Sequence, residues 1–254
     1  LAWSQTVPAV AQAQQVVEVP TRAGKSVRAI LMRPQGGASA GKGSVILLAG
    51  GHGNLSIGKD GGIAWGKGIH LVRARAEFAK AGFAVLLPDI AADHKRGEDA
   101  KADYRASVAH AVDLGALVAH MRKISTPVFL IGTDRAAVSV ANAAVRLAAG
   151  DRPDAIVITS GMLLNVSSKQ ASVERTVPGL QIAHAKDACK LSPPSQPESF
   201  QRRYLSGTGK IDIKVIGGGI ATAGDQCGAQ TSHGFVGQDA ELVRTIADWL
   251  KALG

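Results

Sequence analysis

The sequence predicts an α/β fold, specifically a three-layer α/β/α sandwich around a mostly parallel central sheet. Strand-like apolar runs alternate along the chain with helical patterns, which implies that crossover helices cover both faces of a sheet. Most of these runs are continuously apolar, as is typical of strands buried on both faces. The continuously apolar runs are 44–51, 83–90, 127–133, 155–161, 180–187 and 211–219.

The chain opens with two further strand-like runs, 14–20 and 26–34, which predict an antiparallel hairpin. The Gly- and Ser-rich stretch 34–44 follows the hairpin and predicts a flexible loop. This loop is short, so the whole of 16–254 is predicted to form one domain.

Helices are predicted over 70–82, where Gly82 is a stop signal, and over 102–123 and 239–253. The second and third of these helices carry apolar residues at the spacing of one helix face, which indicates that they pack on the sheet. These apolar residues are Leu114, Leu117, Val118 and Met121 in the second helix and Leu242, Ile246, Trp249 and Leu250 in the third.

The overall composition is that of an ordinary globular protein. The 254 residues are 46% hydrophobic, with a mean hydropathy of +0.09, and no apolar run approaches the roughly 20 residues that span a bilayer. The net charge is +9, but the basic residues are spread along the chain without interleaved aromatics. We therefore expect a solvated basic surface and no nucleic-acid partner.

Residues 1–15 begin with leucine and contain small-residue steps, so they resemble the remnant of a removed export signal or a cloning boundary. The chain has two cysteines, Cys189 and Cys227. An even pair is typical of an oxidised disulfide in a periplasmic or secreted protein, whereas two unrelated buried thiols are the alternative.

Four segments are predicted at the carboxyl edge of the sheet, where open α/β sheets build their ligand sites. The first is Gly-rich and lacks the Gly-Lys-Ser/Thr of a phosphate loop, so nucleotide binding is not expected. The second is a sharp strand-to-helix turn around Asp134, the third places Asp187 after a strand, and the fourth places His233 before the last helix. The four segments are 49–54, 132–136, 184–194 and 231–237.

An elbow, an acid and a histidine in this chain order resemble the α/β-hydrolase family over residues 44–253. The His-Gly-Phe sequence at 233–235 is similar to that of the lidless dienelactone hydrolases. The resemblance implies that Asp187 orients the imidazole of His233, which acts as general base. It also implies an oxyanion hole made by N–H groups near Gly51, His52 and Arg135, and no cofactor or metal.

By the same resemblance, the two cysteines flank the proposed acid and base. Cys189 lies two residues after Asp187, and Cys227 lies six residues before His233. A disulfide between them would tie the acid loop to the histidine loop.

The elbow departs from the family pattern, because Gly-x-Ser-x-Gly is replaced by Gly-Thr-Asp-Arg-Ala at 132–136. Haloalkane dehalogenases and epoxide hydrolases use an aspartate here, which attacks an sp³ carbon and forms an ester that activated water cleaves. Those enzymes hold the leaving group with aromatic donors of a cap domain. Residues 162–179 are too few for such a cap and contain no aromatic residue.

The leading hypothesis is a hydrolase that acts on a small ester or alkyl-carbon electrophile through Asp134, Asp187 and His233. A carboxylate is already ionised and gains nothing from deprotonation by His233, which disfavours ordinary serine-esterase turnover. A catalytically inactive homologue that binds a small ligand is one alternative. A serine esterase whose nucleophile has been replaced by Asp134 is another.

Each candidate residue also has a structural interpretation. Asp134 could be the N-cap of the following helix, and His233 could be a structural histidine. Asp187 could cap a local turn or pair with Lys186. Two arginines, Arg73 and Arg75, lie on a predicted helix and are expected to be solvated, with the alternative that one of them reaches back to the site.

Overall fold

The structure of the protein, a computed structural model, describes residues 13–34, 41–94, 102–162, 177–195, 211–220 and 224–253, together with Glu198. An eight-stranded sheet runs through the molecule in the order β1-β2-β4-β3-β5-β6-β7-β8. The strands are β1 (Gln14–Pro20), β2 (Ser26–Met32), β3 (Ser44–Leu48), β4 (Ala84–Pro88), β5 (Val128–Thr133), β6 (Ala155–Thr159), β7 (Gly179–His184) and β8 (Ile211–Ile216).

Only β2 pairs in antiparallel fashion, on one side with β1 and on the other with β4. All other neighbouring strands of this sheet are parallel. The three strands at the centre of the fold, β3, β5 and β6, are buried at every position because they are covered on both faces. The predicted sheet and its opening hairpin are therefore confirmed.

Helices cover both faces of the sheet, which confirms the three-layer architecture. They are α1 (His70–Arg73), α2 (Arg75–Lys80), α3 (Ala102–Arg105), α4 (Val108–Arg122), α5 (Ala136–Arg146) and α6 (Asp239–Lys251). On one face α4 and α5 enclose an apolar cluster, and on the other α1, α2 and α6 enclose a second. The apolar faces predicted for α4 and α6 are buried at every named position.

Two predicted helices are each divided into two. The helix expected over 70–82 changes direction at Ala74, where ψ is 0°. The helix expected over 102–123 restarts at Ser107, whose side chain accepts a hydrogen bond from the His110 N–H and so forms the N-cap of α4. No helix within the described ranges has both the length and the apolar character of a membrane span.

The parallel strands end at one edge of the sheet, and the loops that leave them there converge. The loops after β3, β5 and β7 approach the segment that precedes α6, as the predicted ligand edge requires. Three regions on which predictions were made, 1–12, 35–40 and 163–176, lie outside the described residues.

Candidate active site

Asp134 occupies a sharp elbow between β5 and α5, with a left-handed backbone at φ 54°. The elbow is braced by β6 and the residues after it, since the Asp134 N–H donates to the Thr159 carbonyl and the Met162 N–H donates to the Asp134 carbonyl, both at 3.1 Å. A non-glycine residue in this region is uncommon and is often associated with a functional site. The N-cap of α5 is Arg135, so the interpretation of Asp134 as N-cap is wrong.

The two oxygens of the Asp134 carboxylate have different surroundings. Oδ2 accepts a 2.5 Å hydrogen bond from the Gly51 N–H, in the place where an α/β hydrolase would bind an oxyanion. Oδ1 is buried without a hydrogen-bond partner in the described structure and lies 3.8 Å from His233 Nε2. One oxygen is thus hydrogen-bonded to the backbone, and the other has no hydrogen-bond partner among the described residues.

The loop after β3 passes close to the Asp134 carboxylate. A Cβ at Gly50 would lie 2.6 Å from Asp134 Oδ2, and Gly51 has a φ of +57°, so glycine is required for this close approach. The backbone N–H of Arg135 helps to lower the pKa of the Asp134 carboxyl. Of the three predicted donors, Gly51 hydrogen-bonds Asp134 through its N–H, whereas the ring of His52 stacks on Trp65 with centroids 3.7 Å apart.

The acid and the histidine meet as predicted. His233 Nδ1 lies 3.0 Å from Asp187 Oδ2, and the buried Ser192 hydroxyl lies 2.9 Å from His233 Nδ1 and 3.0 Å from the same carboxylate oxygen. The other oxygen of Asp187 accepts from the Cys189 N–H, so Asp187 also caps a local turn. The described ion pairs of Asp187 involve His233 and not Lys186.

A disulfide joins Cys189 to Cys227, with Cα atoms 4.7 Å apart and a sequence separation of 38. It connects the acid loop to the segment that leads to His233, as predicted. Arg73 also contacts the segment around His233, since it pairs with Asp239 and donates to the Gly234 carbonyl at 2.7 Å. The expectation that Arg73 is solvated is therefore wrong.

Electrostatics bind the imidazole to both carboxylates. Burial lowers the pKa of His233, but its contacts with Asp134 and Asp187 outweigh burial and raise the pKa to about 9. Burial also raises the pKa of Asp134, but His233 and the Gly51 N–H lower it more, so the net shift is downward. At neutral pH His233 is therefore an imidazolium beside the Asp134 carboxylate.

A cavity of about 210 Å³ opens above Asp134 and His233. Its walls combine apolar side chains with backbone and a few polar groups: Gly50, Gly51, Trp65, Ile69, His70, Thr133, Cys227, Gly228, Ala229 and Gly234. Neutral imidazole is expected at His70, because burial holds its pKa well below the ordinary value. The cavity is thus small and mostly apolar around one reactive carboxylate.

Sequence patterns missed several residues of this site. Trp65 lies in an irregular segment with no helical or strand period, and His70 is the first residue of the short helix His-Leu-Val-Arg. His70 is fixed by a 2.8 Å contact between its Nε2 and Thr159 Oγ1. Ser192 lies five residues after Asp187, within the predicted acid loop, and that proximity was its only signal.

The fold and the elbow define a class, the α/β-hydrolase fold. No family model matches the chain, and no curated protein matches it in sequence. Three solved structures illustrate the likeness in fold. A dienelactone hydrolase from Anabaena variabilis is 15% identical with a TM-score of 0.64, over 95% of this chain and 98% of that one.

The second is an alpha-beta serine hydrolase homologue from Coxiella burnetii, which is 15% identical with a TM-score of 0.61 over 96% of this chain and 100% of that one. The third is an α/β serine hydrolase without lid from Xanthomonas campestris, which is 13% identical with a TM-score of 0.60 over 94% of this chain and 98% of that one. At these identities the likeness establishes the fold alone.

Proposed function

We propose that this protein is a hydrolase in which Asp134 is the nucleophile toward an electrophilic sp³ carbon of a small organic molecule. The observation that carries the proposal is that the two oxygens of the Asp134 carboxylate have different surroundings. Oδ2 is bound by the Gly51 N–H, while Oδ1 is buried, unpartnered in the described structure and close to His233.

In the first step Oδ1 of Asp134 attacks the carbon that bears the leaving group. The bond to the leaving group breaks, and that group departs with the electron pair, which leaves an alkyl ester on Asp134. A carboxylate suits this step because it is ionised at neutral pH and needs no base. The low pKa of Asp134 keeps it in the reactive form.

In the second step His233 Nε2 removes a proton from water, and the resulting hydroxide adds to the carboxyl carbon of Asp134. Negative charge develops on Oδ2, which already accepts from the Gly51 N–H, so the hole is preorganised for this intermediate. The intermediate collapses, and the alkoxide departs with Oδ1 and takes the proton from His233. The carboxylic acid left on Asp134 then gives its proton to His233, which restores the carboxylate and the imidazolium of the resting protein.

The charges of the site favour this order of events. In the resting protein His233 is protonated at neutral pH because two carboxylates raise its pKa. Esterification removes the charge of Asp134 and with it one of those contributions, so the pKa of His233 falls and the imidazole becomes a base. His233 is therefore activated only after Asp134 has reacted.

Trapping of the ester tests the proposal. A His233→Gln variant incubated with 1-bromobutane or styrene oxide should accumulate an alkyl ester on the peptide that contains Asp134, seen by peptide mass spectrometry, because ester hydrolysis needs the base. A His233→Gln/Asp134→Asn double variant is the matched control and should show none. Saturable binding of either probe without an adduct would instead support the inactive, ligand-binding homologue.

An ester hydrolase is a second candidate, favoured by the completeness of the remaining machinery. The His233–Asp187 contact and the Gly51 N–H are the groups that a serine nucleophile would use. An Asp134→Ser variant should then hydrolyse p-nitrophenyl acetate, with Asp134→Ser/His233→Gln as control. Ester turnover in this variant, together with no adduct on Asp134 in the trapping experiment, would favour a replaced serine esterase.

The disulfide supports a proposal about where in the cell the protein is located. A disulfide that ties the acid loop to the histidine loop persists in an oxidising environment. We therefore place the protein in the periplasm or outside the cell. Treatment of whole cells with a thiol-blocking reagent before lysis should leave Cys189 and Cys227 unlabelled, whereas labelling of either would contradict this placement.

A further inference from the structure

A buried arginine supports the oxyanion hole from the side opposite the cavity. Arg105, at the end of α3, is 3% exposed. Its Nη2 donates to the Ala49 carbonyl at 3.0 Å and to the Gly51 carbonyl at 3.1 Å. Its Nη1 donates to the Ser139 hydroxyl at 2.9 Å, which anchors the guanidinium to α5. One side chain therefore joins the loop after β3 to the helix that follows the elbow.

These contacts fix the peptides around the Gly51 N–H. The Ala49 and Gly51 carbonyls point to the guanidinium, and the Gly50 carbonyl between them accepts from the Gly53 N–H at 3.1 Å. Because a peptide unit is planar, fixing the Gly50 carbonyl also fixes the direction of the Gly51 N–H. That N–H points to Asp134 Oδ2.

The glycine at position 53 leaves space for the guanidinium of Arg105. A Cβ there would lie 2.6 Å from Arg105 Nη2, and φ at Gly53 is +75°. Glycine is thus required both by the backbone conformation and by the guanidinium beneath it.

Arg105 has no carboxylate within ion-pair distance among the described residues, unlike Arg22, Arg73 and Arg122. Burial lowers the pKa of Arg105, and the charge of Asp134 counters this, giving a value of about 10. The guanidinium is therefore charged at neutral pH. Because interaction between two charges is mutual, Arg105 in turn stabilises the ionised form of Asp134.

We infer that Arg105 is a positioning residue for the oxyanion hole: it aims the Gly51 N–H at Asp134 and balances the negative charge that Asp134 brings to the site. The inference rests on the proposed function in one respect only, because the oxyanion that the hole would bind forms in the proposed reaction. The geometry and the charge balance exist in the resting protein and can be measured without turnover.

Two variants separate the charge from the geometry. Arg105→Met removes both, and Arg105→Lys keeps a positive charge but lacks the planar fork that holds two carbonyls. Arg122→Met is the matched control, since Arg122 also donates to a carbonyl and a carboxylate, those of Arg152 and Asp154, on another part of the molecule. The readouts are the titration of the Asp134 carboxyl carbon by NMR and hydrogen exchange at the Gly51 amide.

In Arg105→Met we expect the Asp134 carboxyl to titrate at a higher pH than in the wild type, because the positive charge that interacts with it is gone. In Arg105→Lys we expect a titration close to that of the wild type, but exchange at the Gly51 amide about tenfold faster or more. Arg122→Met should change neither readout.

An unchanged Asp134 titration in folded Arg105→Met would overturn the inference, even if the variant were less stable. If Arg105→Met does not fold, Arg105→Lys decides, and unchanged exchange at Gly51 would overturn it. Failure of the ester-trapping experiment with these shifts intact would remove the proposed function and leave the role of Arg105 standing.

Discussion

The elbow of Asp134 is held by backbone hydrogen bonds to the sheet and by close packing, whereas the loops of Asp187 and His233 are held by side chains and a covalent bond. Asp134 is fixed by hydrogen bonds of its own backbone to β6 and the residues after it. Asp187 and His233 depend on Ser192, on Arg73 and on the Cys189–Cys227 disulfide. The proposed nucleophile, Asp134, is therefore held by the sheet itself. The proposed acid and base, Asp187 and His233, are held by side-chain contacts and the disulfide.

The disulfide offers the strongest test of this difference. A Cys189→Ala/Cys227→Ala variant should lose about 3–4 kcal/mol in free energy of unfolding, because the bond closes a loop of 38 residues. Urea unfolding of the wild type with and without reductant should show the same loss, while the variant should not respond to reductant. Equal unfolding midpoints for the variant and the oxidised wild type would show that the disulfide does not stabilise the loops of Asp187 and His233.

The protonation of His233 gives the next effect. Its pKa in the folded protein, about 9, lies above the unfolded value of about 6.5, so the stabilisation is fully present below pH 6.5 and is lost as pH rises through 9. The loss should reach up to about 3 kcal/mol. Urea unfolding at pH 6 and pH 10 measures this loss of free energy of unfolding. The control variant is His233→Gln, which has no imidazole to protonate. The same pH dependence in both proteins would refute the assignment.

On the nucleophile side, Gly132→Ala should destabilise by about 2 kcal/mol, since an added Cβ would lie 2.6 Å from Val140 Cγ2 and 2.8 Å from the Ala136 carbonyl oxygen. Gly150→Ala is the matched control, because a Cβ there meets nothing within 4 Å. It should change stability by less than about 0.5 kcal/mol. Thermal unfolding checks both, and equal effects would argue against a tightly packed elbow.

The smallest effect is expected at Ser192. Ser192→Ala removes the buried hydroxyl that contacts both Asp187 and His233 and should cost about 1.5 kcal/mol. Ser26→Ala serves as control, because that hydroxyl bonds Glu18 on an exposed strand and should be near neutral. A Ser192→Ala protein as stable as Ser26→Ala would show that the disulfide alone maintains the dyad.

The elements that sequence predicted well are those encoded locally. Continuous apolar runs predicted the strands, and their observed bounds differ mainly at the carboxyl ends. The run 44–51, for example, ends as a strand at Leu48 because apolar and glycine residues continue into the hole loop. The elbow at Asp134 was predicted for the same reason, since a strand, a turn and a helix follow one another in sequence.

The residues that sequence did not predict act over long separations. Arg105 reaches Ala49 across 56 residues, and Arg73 reaches Gly234 across 161 residues. A lone arginine in a helical pattern is usually solvated, so no local signal distinguishes a buried one. Only the assembled sheet shows which carbonyls lie within its reach.

The central claim is that Asp134 forms the covalent bond, and a single turnover in H₂¹⁸O tests it most directly. With excess enzyme over an alkyl halide that it hydrolyses, the first alcohol released should carry unlabelled oxygen, because its oxygen comes from Asp134 Oδ1, and the label should appear in the Asp134 carboxylate. Labelled alcohol with an unlabelled Asp134 would show that water attacks the substrate directly and would contradict the account.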